Sequence, residues 1–326
     1  MAAEIENRYD VNVAAEWPLG AIAVHCFVVD ASSSSDIDGL ITEMQADALI
    51  RTVQRMQEFE ILGQDYLDPF FPAQYALKEM NVVKAHARST GSGIRVGVVD
   101  SAVDVMHPDL VGRLVETKDF VSQSEKRTAE AHGTAIAGLI AANADKLGMV
   151  GVAPGASIVG LRACWQRAGK GGRCSSFSLA RALNFAVINQ IDVLNLSLGG
   201  PPDPLLQELI ETATSNGMVI VAALGESETP AFPASMPDVI AAGRRDFGGI
   251  AAPATDVIST APEGQYRYVS GSSVAAAHVS GVVVLLLAKR NDLTPSAVTQ
   301  TLIRAQRNKG DGPVLDAFEA LELIED

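Results

Sequence analysis

From Ser92 onward, short apolar runs alternate with longer segments whose apolar positions recur at helical spacing. The runs Ile94–Val99, Ser157–Arg162, Val193–Leu196, Met218–Ala223 and Val239–Ala242 read as buried strands. The segments His132–Asn143, Ser178–Asn189, Pro204–Asn216, Ser273–Leu287 and Pro295–Arg304 read as helices. This alternation predicts an α/β fold, a doubly wound and mostly parallel sheet with helices on both faces. Ligands of such sheets lie beyond the carboxyl ends of the strands. Ahead of it, Ala21–Val29 reads as a strand, and Ser34/Ser35 open a helix with Ile37, Leu40, Ile41, Met44 and Ala48 on one face. Leu49–Leu62 then reads as one or two short strands, so a small N-terminal β-α-β unit is expected over 1–63 and a main domain over 64–326. Gln64–Gln74, with Pro69 and Pro72 among aromatics, reads as a linker or a docked arm.

Composition narrows the partners. A formal charge of −14 excludes nucleic acid or an anionic membrane as the main partner, since both require a concentrated basic surface. Only Arg8 supplies a basic residue ahead of the apolar Trp17–Val29, which argues against a secretory signal. The longest apolar run, Val279–Ala288, is interrupted by Ser280 and Gly281 and reads as too short for a bilayer span. A cytoplasmic protein with no membrane partner is expected, and its oligomeric state stays open. Cys26 reads as a buried strand residue; Cys164 and Cys174 flank the loop Trp165–Arg173 and either close it as a bridge or stay free.

The chemistry concentrates in three places. Ser273 follows a Gly-Ser turn at the start of a long apolar helix, where unpaired backbone N–H groups and the positive helix end could meet a developing oxyanion. Taken alone, that turn reads first as the N-cap of a core helix. His132 opens a helix of small residues, and Asp100 ends the apolar run Arg95–Val99. Together, a carboxylate at a strand end, an imidazole and a hydroxyl at helix starts are what an orienter, a general base and a nucleophile require. Ser272 competes with Ser273, and Asp104 with Asp100. His278 reads as a core histidine, and His107 as a turn residue before Pro108.

The stretches Val98–Leu110, His132-Gly-Thr, Leu194-Asn-Leu-Ser-Leu-Gly-Gly200 and Gly271–Gly281 resemble, in order, the motifs of subtilisin-like serine peptidases over about residues 66 to 306. The order Asp, His, Ser is that of subtilisin. The resemblance implies peptide-bond hydrolysis through an acyl-enzyme, with Asp100 as orienter, His132 as base and then acid, and Ser273 as nucleophile whose backbone N–H serves the oxyanion. It implies that the substrate backbone pairs as an extra strand with Leu196, Ser197, Leu198 and Gly199, opposite Ala223, Leu224 and Gly225. It makes the N-terminal unit a shortened propeptide or a permanently docked domain, and it requires no cofactor.

Departures from the family pattern matter as well. Glu226 stands where the family has the oxyanion Asn, and an ionised Glu donates nothing; reduced turnover is expected, or a pseudopeptidase that only binds peptides. Ala277 stands where the family has Pro, and the short stretch from Glu226 to Gly271 predicts a trimmed rim. Calcium is possible through Asp68, Asp109 and Asp145, which resemble parts of a family calcium site. The insertion around Arg162, Arg167, Lys170 and Arg173 is a local basic cluster on an acidic chain, which would favour peptide or protein substrates with acidic segments. Replacing Arg167 and Lys170 by Glu should then slow cleavage of acidic peptides more than neutral ones; equal effects in matched-peptide kinetics would sink the idea.

Overall fold

The computed structural model describes residues 2–32, 34, 36–57, 66–121, 129–167, 170–225, 230–245, 248–308, 310 and 312–325. The chain divides into two units, Met1–Gly63 and Gln64–Asp326.

The first unit runs α1 (Ala2–Tyr9), β1 (Asn12–Leu19), β2 (Val24–Asp30) and α2 (Ile37–Gln45). The strands form one antiparallel ribbon from Asn12↔Asp30 to Leu19↔Val24. The expected β-α-β order is corrected in that β1, not foreseen, pairs with β2, and the described residues 46–57 hold no strand; the rest of the stretch read as Leu49–Leu62 lies outside the described residues. Most of β1 is exposed, so its sequence carries no buried alternation to betray it. Asp36 caps α2 by accepting from the Gly39 N–H at 2.8 Å. Cys26 lies in a strand as expected but is exposed, because a two-stranded ribbon with short helices covers few of its own side chains.

The second unit begins with two short helices, α3 (Tyr75–Glu79) and α4 (Val82–His86), and then β3 (Arg95–Asp100), β4 (Leu114–Asp119), α5 (Ala131–Ala141) and β5 (Ser157–Arg162). A hairpin of β6 (Cys164–Arg167) and β7 (Lys170–Cys174) follows, then α6 (Ser176–Ile188), β8 (Val193–Leu196), α7 (Pro204–Ser215) and β9 (Val219–Ala223). Next come β10 (Ile240–Gly243), β11 (Ile250–Ala251) and a second hairpin of β12 (Val257–Ala261) and β13 (Gln265–Val269). The chain closes with α8 (Ser272–Lys289), α9 (Pro295–Arg304), β14 (Gln306–Asn308), β15 (Pro313–Leu315) and α10 (Ala317–Glu325). The stretch read as a trimmed rim therefore still carries four strands.

Seven strands pair in the order β11-β10-β9-β8-β3-β5-β4, all parallel. Side chains alternate between the two faces: Val219, Val221 and Ala223 of β9 pack with α5 and α8, whereas Ile220 and Ala222 pack with α6 and α7. This is the predicted doubly wound architecture. Local signals start the helices on the second face. Ser175 and Ser178 form a capping box on α6, and Asp203 accepts from Leu205 and Leu206 N–H ahead of Pro204 on α7.

Helix α8 has no apolar stripe; it is apolar all round and buried from Val274 to Leu287. Its valines are indifferent helix formers, so burial rather than propensity holds it, at about 1.5–3 kcal/mol per enclosed Val or Leu. By length and composition it could cross a bilayer, but 83% of it is enclosed by this unit's own core. Gly281 lets it approach the chain after α5, because a Cβ there would lie 2.5 Å from Val152 Cβ. Gly281→Ala is expected to destabilise the protein by about 1–3 kcal/mol, read as a lower urea midpoint with unchanged slope.

Candidate active site

The carboxyl ends of β3, β5 and β8 and the amino ends of α5 and α8 meet along one edge of the sheet. Asp100 is the last residue of β3 and is 4% exposed. The Nδ1 N–H of His132, on the first turn of α5, donates to its carboxylate at 2.9 Å from each oxygen. The Asp100 charge raises the His132 pKa above its ordinary value, against opposing effects of burial and of the Arg267 charge. Asp104 does not compete for the ring. Its oxygens accept from the Met106 and Glu263 N–H groups at 3.0 and 2.8 Å.

Ser273 stands on the first turn of α8, after Gly271, whose φ of +130° only glycine adopts comfortably. It shares with His132, Arg267 and Tyr268 the lining of a cavity of about 160 Å³. Its Oγ donates to the Ser197 carbonyl at 3.5 Å, and the Ser197 hydroxyl donates to the Ser273 carbonyl at 3.3 Å. Below them the Asn195 amide accepts from Ser197 and donates to Ser280, at 2.9 Å each, in a buried row joining β8 to α8. Ser272 is buried and does not line that cavity. His278 is a core histidine whose ring donates to the Pro253 carbonyl at 2.8 Å; burial pushes its pKa down to about 4. His107 is also buried and donates to the Gln265 carbonyl at 3.0 Å.

A larger cleft of about 540 Å³ adjoins Asp100 and His132. Leu196, Ser197, Leu198 and Gly199 line it, with Leu206, Ile210 and Phe232 forming an apolar wall. Ala223, Leu224 and Gly225 do not: Ala223 and Leu224 are buried, and the Leu224 N–H donates to the Ala242 carbonyl at 2.8 Å. Glu226 lies outside the described residues. The opposite wall is the β6–β7 hairpin, closed by a Cys164–Cys174 disulfide between directly paired strand positions. Arg173 lines the cleft. Arg162 does not join a basic cluster as expected; it is 6% exposed and paired with Asp119 and Glu130. The Arg167 and Lys170 side chains lie outside the described residues.

The Subtilase family matches residues 91–318 of this chain. The chain belongs to that family. It is 31% identical to the "Major intracellular serine protease" of Bacillus subtilis (strain 168) over 242 residues, 66% of this chain and 75% of that protein. It is 32% identical to "Subtilisin DY" of Bacillus licheniformis over 242 residues, covering 68% and 86%. With the "Intracellular serine protease" of Paenibacillus polymyxa it shares 28% over 267 residues, covering 72% and 81%. This subtilase is a subtilisin-like serine peptidase.

Among the described residues of this subtilase, no three His, Cys, Asp or Glu side chains are grouped to hold a metal. Asp68 accepts from the Asp145 and Lys146 N–H groups, and Asp145 from that of Leu147. Asp109 accepts from the Met149 N–H and the Tyr266 hydroxyl at 2.9 Å each, and burial raises its pKa. These carboxylates accept hydrogen bonds from the main chain of residues 145–149.

Sequence reasoning missed Glu130, Gln166 and Arg267, each against the site, and the Asn195–Ser280 row. A charged residue just before His132 is a readable signal for Glu130; the others have none. Because the folded-state pKa of His132 is raised, its pairing with Asp100 stabilises the protein fully below the unfolded value and loses that contribution as pH rises through the folded value. The Tm deficit of Asp100→Asn should therefore be larger at about pH 5.5 than at about pH 9. An equal deficit at both would refute the coupling.

Proposed function

We propose that the chain is a serine endopeptidase that cuts peptide bonds through an acyl-enzyme on Asp100, His132 and Ser273. The contact of the His132 ring with both Asp100 oxygens at 2.9 Å, beside a cavity shared with Ser273, carries the reading. Asp100 fixes the tautomer in which Nε2 is free to accept a proton. Ser273 Oγ adds to the scissile carbonyl carbon and its proton passes to His132 Nε2. The imidazolium so formed faces the Asp100 charge. The carbonyl oxygen becomes an oxyanion at the amino end of α8, where the Ser273 N–H and the helix dipole oppose its charge. Collapse breaks the C–N bond, and His132 returns the proton to the leaving amine. Water then enters by the same route and frees the acid.

Glu226 bears on the rate. In subtilisin, removing the side-chain donor at the oxyanion costs roughly 10²–10³ in kcat. An ionised Glu at that place lowers turnover, and in the extreme leaves a peptide-binding module. Substrates are peptides or proteins, with Arg173 on the cleft wall favouring acidic segments. The first unit serves as a propeptide or a docked domain, bounded at residue 63. Two relatives named as intracellular favour a cytoplasmic setting. The Cys164–Cys174 bridge weighs toward an oxidising one.

An active-site phosphonate should label the wild type and spare Ser273→Ala, detected as an adduct by intact mass. No label between about pH 5 and 8 would leave the binding-module reading in its place. Glu226→Asn should raise kcat on a peptide by at least about tenfold.

A further inference from the structure

We infer that Glu130 is a positioning residue for hydrolysis, a strut that holds the Asp100 turn, the His132 helix and the cleft hairpin in one register. The inference rests on the Asp100–His132–Ser273 reading and goes beyond it. Glu130 immediately precedes α5 and is 9% exposed. Residues at this place usually turn their side chain back to cap their own helix. Glu130 makes no such cap. Its carboxylate instead reaches three other elements. Oε2 accepts from the Ala102 N–H at 2.8 Å and from Arg162 Nε at 3.2 Å; Oε1 accepts from the Gln166 N–H at 2.6 Å.

The hairpin answers in kind, since the Gln166 side-chain oxygen accepts from the Ala131 N–H at 3.1 Å and so serves the first turn of α5. The Glu130 main chain adds a fourth tie, its N–H donating to the Ala102 carbonyl at 2.8 Å. Ala102 is two residues after Asp100, and His132 is two residues after Glu130. One carboxylate thus spans both arms of the Asp100–His132 contact. Arg162 anchors it from behind, its guanidinium paired on its far side with Asp119 at 3.1 Å. A buried carboxylate is retained at low cost only when its partners are fixed, and a row of fixed partners is stiff. Displacements of about 1 Å at a general base cost up to about 10²-fold in rate, so stiffness here bears on turnover.

The test compares full-length wild type, Glu130→Ala, Glu130→Gln, Gln166→Ala and the Glu130→Gln/Gln166→Ala double variant on a small activated ester, which does not extend along the hairpin, and on a longer peptide, with Tm measured for each. Glu130→Ala should lower kcat at least about tenfold on both substrates while leaving KM for the ester within about twofold. Glu130→Gln keeps the shape and one acceptor oxygen and should recover part of the loss. Gln166→Ala removes an exposed partner without disturbing the core, and should lower ester kcat less than additively with Glu130→Gln. Should Glu130→Ala not fold, those two variants decide. A lowered Tm with wild-type kcat on both substrates would overturn the inference, as would a loss confined to KM for the peptide. If the wild type neither turns over the ester nor takes the phosphonate, the triad reading itself falls and this one falls with it.

Discussion

The parallel pairing of β3 with β5 on one side and β8 on the other is the constraint on which the cleft depends. It sets Val98 beside Gly160 and Asn195, and so brings Asp100 level with Arg162 on one side and with the end of β8 at Ser197 on the other. A slip of one residue would turn Asp100 to the opposite face of the sheet, because side chains alternate at each step. What fixes the register is the burial of both faces: Val96 and Val98 belong to one core and Val99 to the other. The position of the Asp100 carboxylate is thus decided by apolar packing several residues behind it.

Much of this was legible in the chain. Strands buried on both faces show as apolar runs, and helices between them show by spacing, which is why the sheet and its main helices could be read with ends displaced by a residue or two. Several elements escaped notice, most of them short. Strand β1, the hairpin β6–β7 and the pair β12–β13 were not foreseen; β1 is mostly exposed, and a half-exposed strand such as β13 has no period to display.

The site divides in the same way. Asp100, His132 and Ser273 could be proposed from the chain because each sits at an element end within a motif. The groups that hold them were not. Glu130 meets Gln166 across 36 residues of sequence and Asn195 meets Ser280 across 85, and no local pattern announces such pairs. Arg162 illustrates the opposite error, since four basic residues close in sequence suggested a surface cluster, whereas its guanidinium is enclosed between two carboxylates. Clustering in sequence says little about side chains on a strand, where neighbours point to opposite faces.

Helix α8 places Ser273 at the amino end of a rod whose middle is enclosed. Segments that open cheaply are those with few buried contacts, and α8 is the reverse. Moving its first turn aside means drawing a core helix away from β8, β9 and α5, a change close in free energy to unfolding the second unit as a whole. The serine is insulated from the fluctuations that loops undergo, and the durability of the site and the durability of the fold become a single quantity.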